Sequence, residues 1–393
     1  MKKQFSLVFF AWLGVCLLGA LPFYFSGFFP NFTDAVFETV SGFTTTGATV
    51  LRDIEALPRQ LLLWRSMTQW LGGMGVLLTF SLVPLFTEGG FQVRKTENTF
   101  LFTLLFYIGL TALQFVLLVV FRMNWFDALT NSFSTVSTGG FSIRNNSVAY
   151  YNSPAVEWIF TLFMFLAGVN FFLAWLIFHG KAANVMRNSE ARAYTLIVFV
   201  AAAVVAAAIF PKSPSFEAAL RQAFFHVVSL ISTTGFYSAD YGLWPYAAQT
   251  VLFFLLFCGG CSGSVAGGVK VIRYVMLSKQ TWNEMRRHIY PHAVFGIRLD
   301  GKSENKRKVH GAAGFVFLYF LIVFLAAMLV SSSGAGVFAS FIAALVCQGN
   351  TGVSLAFTDF PAYVKWGLCL VMIMGRLELW IVLVLFTKNF WRR

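Results

Sequence analysis

The chain of 393 residues is 58% hydrophobic and only 11% charged, and its mean hydropathy is +0.71. A soluble protein carries roughly 25% charged residues, whereas stretches of about 20 mostly apolar residues span a bilayer. The composition excludes an ordinary soluble domain and indicates a polytopic α-helical membrane protein. The net charge of +13 comes without the basic residues interleaved with aromatics that a nucleic-acid-binding face needs, so nucleic acid is not an expected partner.

Eight long apolar segments predict membrane-spanning helices. The first follows the residues MKKQ and could be a signal peptide, but its apolar run extends to Phe25 and beyond, which is long enough to span. We therefore interpret it as the first membrane helix. The predicted spans are 5–28, 60–86, 98–122, 155–179, 192–211, 245–276, 311–331 and 362–388.

Four shorter apolar stretches lie between the members of successive span pairs. They have about 11 to 15 residues each, too few to cross a bilayer, and are typical of re-entrant helices. The irregular end of such a helix must be buried in protein or must face water. The predicted short helices are 33–43, 126–136, 217–231 and 337–347.

The distribution of Lys and Arg predicts the orientation. The N-terminus, the linkers 87–97, 180–192 and 270–310, and the C-terminus hold 20 of the 29 Lys and Arg and six of the 16 acidic residues. The rest of the chain holds nine basic and ten acidic residues. Because cytoplasmic loops collect Lys and Arg, we expect these linkers and both termini to be cytoplasmic. The four short helices then enter from the outside.

A hydroxyl-and-glycine turn follows each short helix, in the sequences FTTTGA, VSTGGF, ISTTGF and QGNTGV. The turns align on Gly47, Gly140, Gly235 and Gly352, which are 93, 95 and 117 residues apart. The pattern predicts four tandem repeats of helix, pore helix, turn and second helix, with pseudo-fourfold symmetry around a central pore. The predicted repeats are 1–97, 98–191, 192–310, which includes the basic linker, and 311–393.

Four turns that converge could hold a cation. Carbonyl and hydroxyl oxygens can replace the water shell of an ion such as K⁺, and the C-terminal end of each short helix adds roughly half a negative charge. The alternative is helix packing through Gly and Thr, which explains a single turn better than four in register. The predicted ion-binding residues are Thr45, Thr46, Gly47, Thr138, Gly139, Gly140, Thr233, Thr234, Gly235, Asn350, Thr351 and Gly352.

The chain resembles the TrkH-type subunits of the Trk/Ktr/HKT superfamily of potassium transporters. The resemblance covers essentially the whole chain, and TrkH-type subunits usually have two further helices before the first repeat, with which this chain starts. Eight spans match the shorter Ktr-type layout. The matching stretches are SGFTTTGATVL (41–51), STGGFSIRNNS (137–147), STTGFYSADYGLWP (232–245), CGGCSGSVAGGVKVIR (258–273) and MGRLELWIVLVLF (374–386).

The resemblance implies potassium uptake across the cytoplasmic (inner) membrane, with potassium as the substrate and no cofactor. In plant relatives a serine at the first filter glycine accompanies sodium preference, so Gly47 favours potassium. A sodium or poorly selective cation pathway is the alternative. The resemblance also implies a homodimer and a cytoplasmic ring of nucleotide-binding RCK-type (TrkA-like) regulatory subunits. Any control by nucleotide would belong to that partner, since no phosphate-binding loop is apparent in this sequence.

The stretch CGGCSGSVAGG (258–268) interrupts the second helix of the third repeat with five glycines. Each interior glycine costs about 1 kcal/mol relative to alanine, so a continuous helix is not expected. The resemblance implies an intramembrane loop that gates conduction below the filter, and a packed kink is the alternative. The candidate gate residues are Gly259, Gly260, Ser262, Gly263, Ser264, Gly267, Gly268 and Arg376.

Arg376 lies deep in the last predicted span. A charge at such depth is costly and usually faces an interior cavity or a partner. The resemblance places it beneath the filter and beside the loop, where its charge would raise the barrier to cations. The alternative is an ion pair with a carboxylate, although Glu378 is only two positions away and faces elsewhere on the helix.

Other polar residues are expected to have secondary roles. Asn170 is expected to hydrogen-bond between helices or to line the pore, and His226 is expected to be structural. Asp34 and Asp127 are predicted N-caps of the first two short helices. Residues that could also attract cations at the outer mouth are Asp34, Asp127, Asp240 and Asp359.

Two further features bear on partners and activity. The linker 270–310 contains ten Lys and Arg against three acids, which predicts either a docking surface for the regulator or a topology signal that contacts anionic lipid. A membrane enzyme is not supported, because the five histidines form no HExxH pair and no GxSxG elbow is present. Cys258 and Cys261 have CxxC spacing without a second pair or nearby histidine, which favours helix packing over a metal site.

Overall fold

The structure, a computed structural model, describes residues 2–82, 97–180, 182–353 and 357–391. Residues 83–86 of the second predicted span and 87–96 of the first basic linker lie outside these ranges. Within them the chain is mostly helical, and a single two-stranded hairpin, Arg298–Leu299 (β1) with Lys302–Ser303 (β2), lies in the basic linker.

The helices follow the predicted fourfold order. The first repeat contains α1 (Lys2–Gly19), α2 (Leu21–Phe25), α3 (Phe32–Phe43) and α4 (Arg59–Leu82). The second contains α5 (Glu97–Val120), α6 (Trp125–Val136), α7 (Pro154–Gly168) and α8 (Phe171–Phe178), followed by α9 (Ala182–Arg187). The third contains α10 (Ser189–Ile209), α11 (Phe216–Ile231), α12 (Tyr246–Leu255) and α13 (Val271–Ile289). The fourth contains α14 (Lys306–Ser331), α15 (Val337–Gly349), α16 (Ala362–Arg376) and α17 (Leu379–Leu385), followed by α18 (Lys388–Trp391).

The first helix of every repeat is long and apolar enough to cross a membrane. These four segments also expose large apolar side chains, such as Leu7, Leu105, Phe199 and Phe324, each more than half exposed. Apolar side chains all round a helix are typical of contact with lipid. The four segments are Lys3–Phe25, Phe100–Val120, Ser189–Lys212 and Lys306–Ser331.

The second helix is interrupted in three repeats. The sequence predicts the break after α12, and the structure confirms it. The second helix is also broken in the second repeat, where α7 and α8 meet at a 92° bend, and in the fourth repeat, between α16 and α17. Asn170 starts α8 by accepting a hydrogen bond from the Phe172 amide, and Glu378 at the fourth break has a positive φ of 68°. The three breaks occupy equivalent places in the repeat, each next to a glycine.

The four short helices α3, α6, α11 and α15 form the centre of the protein. In α3 every residue from Asp34 to Phe43 is buried, including Glu38, because longer helices surround it on all sides. Second helices pack on the short helix of the following repeat, α4 on α6 and α7 on α11. Contact of α16 with α3 closes the ring between the fourth repeat and the first.

Buried ion pairs join neighbouring repeats across this ring. Lys365 on α16 contacts Asp34 on α3 at 2.6 Å, and Arg221 on α11 contacts Glu157 on α7 at 2.6 Å. The prediction that Asp34 and Asp127 are N-caps is therefore wrong. Both lie inside the first turn of their helices, since the flanking positions are Asn31 and Asn124.

The carboxylates in the first turns of α3 and α6 pair with basic side chains and not with the backbone amides at the helix start. Arg144 donates to the Asp127 carboxylate at 3.0 Å, and Tyr151 donates to the same oxygen at 3.0 Å. At α6 the cap itself is Asn124, which accepts from the Phe126 amide at 2.9 Å. The helix start was predicted within three residues, but its capping residue was not.

The pair that closes the ring gives a stability prediction. Lys365→Met leaves the Asp34 carboxylate buried without its partner, which costs about 3–5 kcal/mol of unfolding free energy. The matched control is Arg52→Met, because Arg52 and Asp359 form an ion pair that is largely exposed and worth about 0–1 kcal/mol. The apparent melting temperature of the detergent-solubilised protein measures both. Asp34→Asn added to Lys365→Met should recover part of the loss, and an equal or larger loss in the double variant would contradict the role of the buried pair.

Candidate ion pathway

Each short helix ends in the same backbone geometry. The amides of Thr46, Gly139, Thr234 and Thr351 donate to carbonyls five residues earlier, at 2.8, 2.8, 2.9 and 3.1 Å. This bond is characteristic of a Schellman motif, in which the residue before the donor has a left-handed conformation. The helix ends therefore lie directly against the four turns, with their negative dipole ends toward them.

The left-handed residue is a threonine in three of the turns. Thr45, Thr138 and Thr233 have φ of 52°, 54° and 61°, and Asn350 has 51°. Asparagine tolerates this region, whereas a β-branched residue there is a genuine outlier. Such strain costs about 1–3 kcal/mol per residue and clusters at functional sites. Three repeats thus hold the same strained residue type at the same place.

The four glycines meet around one axis. A side chain at Gly47 would overlap the Gly139 carbonyl oxygen and would lie 2.9 Å from the Gly352 Cα. A side chain at Gly140 would overlap the Thr234 oxygen, and one at Gly235 would overlap the Gly352 carbonyl. Each turn therefore touches the next, and the fourth touches the first. We call Gly47, Gly140, Gly235 and Gly352 the glycine ring.

Hydroxyl groups next to the glycine ring bond to one another or to a neighbouring turn. Thr46 Oγ1 lies 2.7 Å from Thr44 Oγ1, and Thr234 Oγ1 lies 2.8 Å from Ser232 Oγ. Asn350 donates through Nδ2 to Thr46 Oγ1 at 2.9 Å, which ties the fourth turn to the first. All twelve predicted ion-binding residues thus lie in the four contiguous turns.

Residues 256–270, here the glycine loop, lie against the third and fourth turns. The Gly267 amide donates to Thr233 Oγ1 at 2.8 Å. A side chain at Gly267 would overlap the Gly349 carbonyl, and one at Gly263 would come within 2.9 Å of the Asn170 side chain. The Cys261 amide also donates to the Gly168 carbonyl at 2.9 Å. The loop is therefore packed between the second and fourth repeats, and it contains all seven glycines and serines of the predicted gate.

A buried carboxylate ties the middle of the glycine loop to the first turn of α13. Glu190 Oε1, on the first turn of α10, accepts from the Ser262 amide at 2.6 Å and from the Ile272 amide at 3.3 Å. Ser264 Oγ donates to the Cys261 carbonyl at 2.6 Å and so closes a tight turn within the loop. Main-chain amides that would be orphaned by the helix break are thereby satisfied.

Arg376 meets the loop as the sequence analysis expected. Its Nη1 donates to the Val265 carbonyl at 2.7 Å, while its Nε and Nη2 are buried without a hydrogen-bond partner among the described residues. The nearby carboxylate of Glu378 instead accepts from Arg273 at 2.7 Å. Across the described ranges no ion pair involves Arg376, so its positive charge is not neutralised by a direct contact.

The remaining predicted polar residues lie away from the glycine ring. Asn170 caps α8 at the bend and contacts the glycine loop through Gly263. His226 is buried, with its ring nitrogens 2.8 and 3.2 Å from the carbonyls of Gln222 and Ala239. The side chain of Asp240 accepts from the Gly242 amide, and that of Asp359 pairs with Arg52.

Sequence reasoning missed four polar residues that contact the site. Glu190 holds the glycine loop, and Glu38, Arg65 and Gln69 lie buried directly behind the first two turns. A usable signal was present, because charged and amide side chains inside apolar helical segments are costly and tend to be functional. Among the described residues no group of three or more His, Cys, Asp or Glu could hold a metal ion.

Helices of membrane-spanning length around four converging turns define a membrane transport protein for cations. The sequence matches the TrkH family, described as cation transport protein, over residues 1–393, and the chain belongs to this family. Its relatives are transporters and it is not an enzyme.

Individual relatives agree over nearly the full chain. The chain is 34% identical to the Trk system potassium uptake protein TrkH of Escherichia coli K12, which covers 100% of this chain and 86% of that protein. It is 36% identical to the TrkH of Halomonas elongata over 97% of this chain and 84% of that protein. The crystal structure of the potassium transporter TrkH from Vibrio parahaemolyticus superposes with a TM-score of 0.93 at 32% identity, covering 100% of this chain and 86% of that one.

The packing of the glycine ring gives a second prediction. Gly235→Ala places a Cβ onto the Gly352 carbonyl at a left-handed position, so we expect cation flux to fall about tenfold or more. Gly109→Ala on α5 is the matched control, because nothing lies within 4 Å of a side chain there. Flux into proteoliposomes containing equal amounts of folded protein measures the difference. Equal flux in both variants would show that the ring does not line the pathway.

Proposed function

We propose that this chain carries potassium ions into the cell along the axis of the glycine ring. The observation that carries the proposal is the contact of four equivalent turns, in which the main-chain oxygens of Gly139, Thr234 and Gly352 each lie against the ring glycine of a neighbouring turn. Oxygens so placed can replace the hydration shell of a monovalent cation. The names of its relatives, which are potassium uptake proteins, support potassium as the substrate. In this proposal the filter is the twelve-residue set predicted from the sequence, and each of the four tandem repeats contributes one turn to it.

The gate in this proposal is the glycine loop together with Arg376. Its support is the direct bond from Arg376 to the Val265 carbonyl and the bond from Gly267 to Thr233 in the third turn. A cation leaving the filter would meet both the loop and an unneutralised positive charge. Movement of the loop away from the axis would lower this barrier.

The orientation and the partners are also proposed. Both termini and the basic linkers face the cytoplasm, which the distribution of Lys and Arg supports. The linker 270–310 contains α13 and the hairpin. Its basic residues are candidate contacts for an RCK-type regulatory subunit or for anionic lipid, and those to test are Arg286, Arg287, Arg298 and Lys302. Assembly as a homodimer rests on the family resemblance alone. Potassium is the substrate in this proposal, and no cofactor is assigned.

Uptake of rubidium, used as a potassium analogue, tests the proposal. In a cell deficient in potassium uptake, this chain should give rubidium uptake that excess sodium inhibits only weakly. Co-expression with an RCK-type subunit should change the rate, and neutralising the four basic residues of α13 and the hairpin should remove that change. Absence of rubidium uptake in both conditions would overturn potassium transport, and strong inhibition by sodium would favour the poorly selective pathway.

The gate gives a further prediction. Arg376→Ala removes both the charge and the bond to Val265, so we expect rubidium uptake to rise roughly tenfold, which corresponds to about 1.4 kcal/mol of barrier. Arg376→Lys, which keeps the charge, should remain close to the unmodified protein. Unchanged uptake by Arg376→Ala at normal expression would refute the barrier role.

A further inference from the structure

The second turn differs from the other three in one residue. Thr46, Thr234 and Thr351 precede the ring glycine in the first, third and fourth turns, whereas Gly139 does so in the second. Its φ lies outside the left-handed region, so backbone conformation does not require a glycine there. A side chain at Gly139 would instead overlap the carboxamide of Gln69. The glutamine occupies the place that the threonine side chain takes in the other repeats.

Gln69 bonds the second turn on both sides of its ring glycine. It donates from Nε2 to the Gly139 carbonyl at 2.7 Å, and its Oε1 accepts from the Phe141 amide at 3.1 Å. The residue lies on α4 and is fully buried. Both polar atoms of the carboxamide are therefore committed to the backbone that flanks Gly140, and the direction of the Gly139 carbonyl is set by a side chain.

Arg65 lies one helical turn before Gln69 on α4 and contacts the same segment after the second turn. Its Nη1 donates to the Ser142 carbonyl at 2.9 Å, and its guanidinium lies 3.9 Å from the centre of the Phe141 ring. Its Nε donates to Glu38 Oε1 at 2.7 Å, in an ion pair with both partners almost completely buried. Arg65 and Gln69 thus hold consecutive residues of one extended segment.

Glu38 connects this arrangement to the first turn. Besides Arg65, its carboxylate accepts from Thr49 Oγ1 at 2.9 Å and from the Val50 amide at 3.0 Å. These two residues lie two and three positions after Gly47 in the chain. One polar chain therefore joins the segment after the first turn, through Glu38, Arg65 and Gln69, to the segment of the second. We call these three residues the filter brace.

We propose that the filter brace sets cation selectivity by fixing the carbonyl of Gly139, with Gln69 as the positioning residue. Selectivity depends on the number, field strength and freedom of movement of coordinating dipoles. A carbonyl held by a buried amide is less free to close around a smaller ion, so the brace disfavours sodium relative to rubidium or potassium. This inference deepens the proposed function and rests on it. None of the three residues is required to touch the ion.

The direct test is Gln69→Leu, which removes both hydrogen bonds with little change in volume. In proteoliposomes we expect the ratio of rubidium to sodium uptake to fall roughly tenfold, the scale of one or two buried hydrogen bonds. Gln114→Leu is the matched control, because Gln114 is a fully buried glutamine on α5 whose amide atoms have no partner among the described residues. Uptake is normalised to the folded protein recovered after solubilisation.

A compensating pair separates selectivity from folding. Gly139→Thr alone should abolish uptake, because the new side chain would overlap Gln69. Adding Gln69→Ala removes the overlap and gives the second turn the threonine of the other three. The double variant should regain rubidium uptake with a lowered rubidium-to-sodium ratio. This pair decides the question if Gln69→Leu gives too little folded protein.

The outcomes distinguish this inference from the proposed function. If the unmodified chain takes up no rubidium, the proposed function fails. If it does take up rubidium while folded Gln69→Leu keeps the original ratio, the brace has no role in selectivity. A double variant that is no more active than Gly139→Thr would equally overturn the inference, since the space at Gly139 would then not be the reason for the glycine.

Discussion

Irregular backbone in an apolar interior is stable only where its amides and carbonyls find partners or face water. This constraint governs the centre of the protein, where four helices end and four turns reverse the chain. Bonds across each helix end satisfy the amides of the turns, and the turns cover one another. In the proposed function, the carbonyls near the axis are the ones that coordinate the cation. The strained threonines at three of the four ends are consistent with a geometry that the surrounding helices impose.

The same constraint explains the polar groups beyond the turns. The glycine loop breaks a helix, and Glu190 accepts from the Ser262 amide inside the break and from the Ile272 amide at the start of α13. Buried pairs such as Lys365 with Asp34 connect repeats and avoid unpaired charges in the interior. Arg376 is the contrast, because two of its nitrogens lie buried without a hydrogen-bond partner in the described ranges. A charge left in that state beside a cation pathway is the physical basis for the proposed barrier.

Repetition made much of this architecture predictable from one sequence. The spacing of Gly47, Gly140, Gly235 and Gly352 gave the register of the repeats, and the glycines of 258–268 predicted the break after α12. The breaks after α7 and α16 were not predicted, since each contains only one glycine and a cap such as Asn170 looks like any polar residue within a span.

The sequence pattern could not predict contacts between distant parts of the chain. Lys365 and Asp34 are 331 positions apart, and nothing local marks them as partners. Gln69 and Gly139 are a similar case: the glycine looks like a departure from the threonine of the other repeats until the side chain that fills its space is seen. Local signals identify the turns, whereas groups such as Gln69 that hold a turn can come from another repeat.

The central claim is that the glycine ring surrounds a dehydrated monovalent cation. Anomalous diffraction from crystals of the protein grown in rubidium or thallium salts tests it most directly. An anomalous peak is expected on the axis between Gly47, Gly140, Gly235 and Gly352, at coordination distance from main-chain oxygens of all four turns. Strong anomalous peaks elsewhere in the protein, with none within the ring, would contradict it.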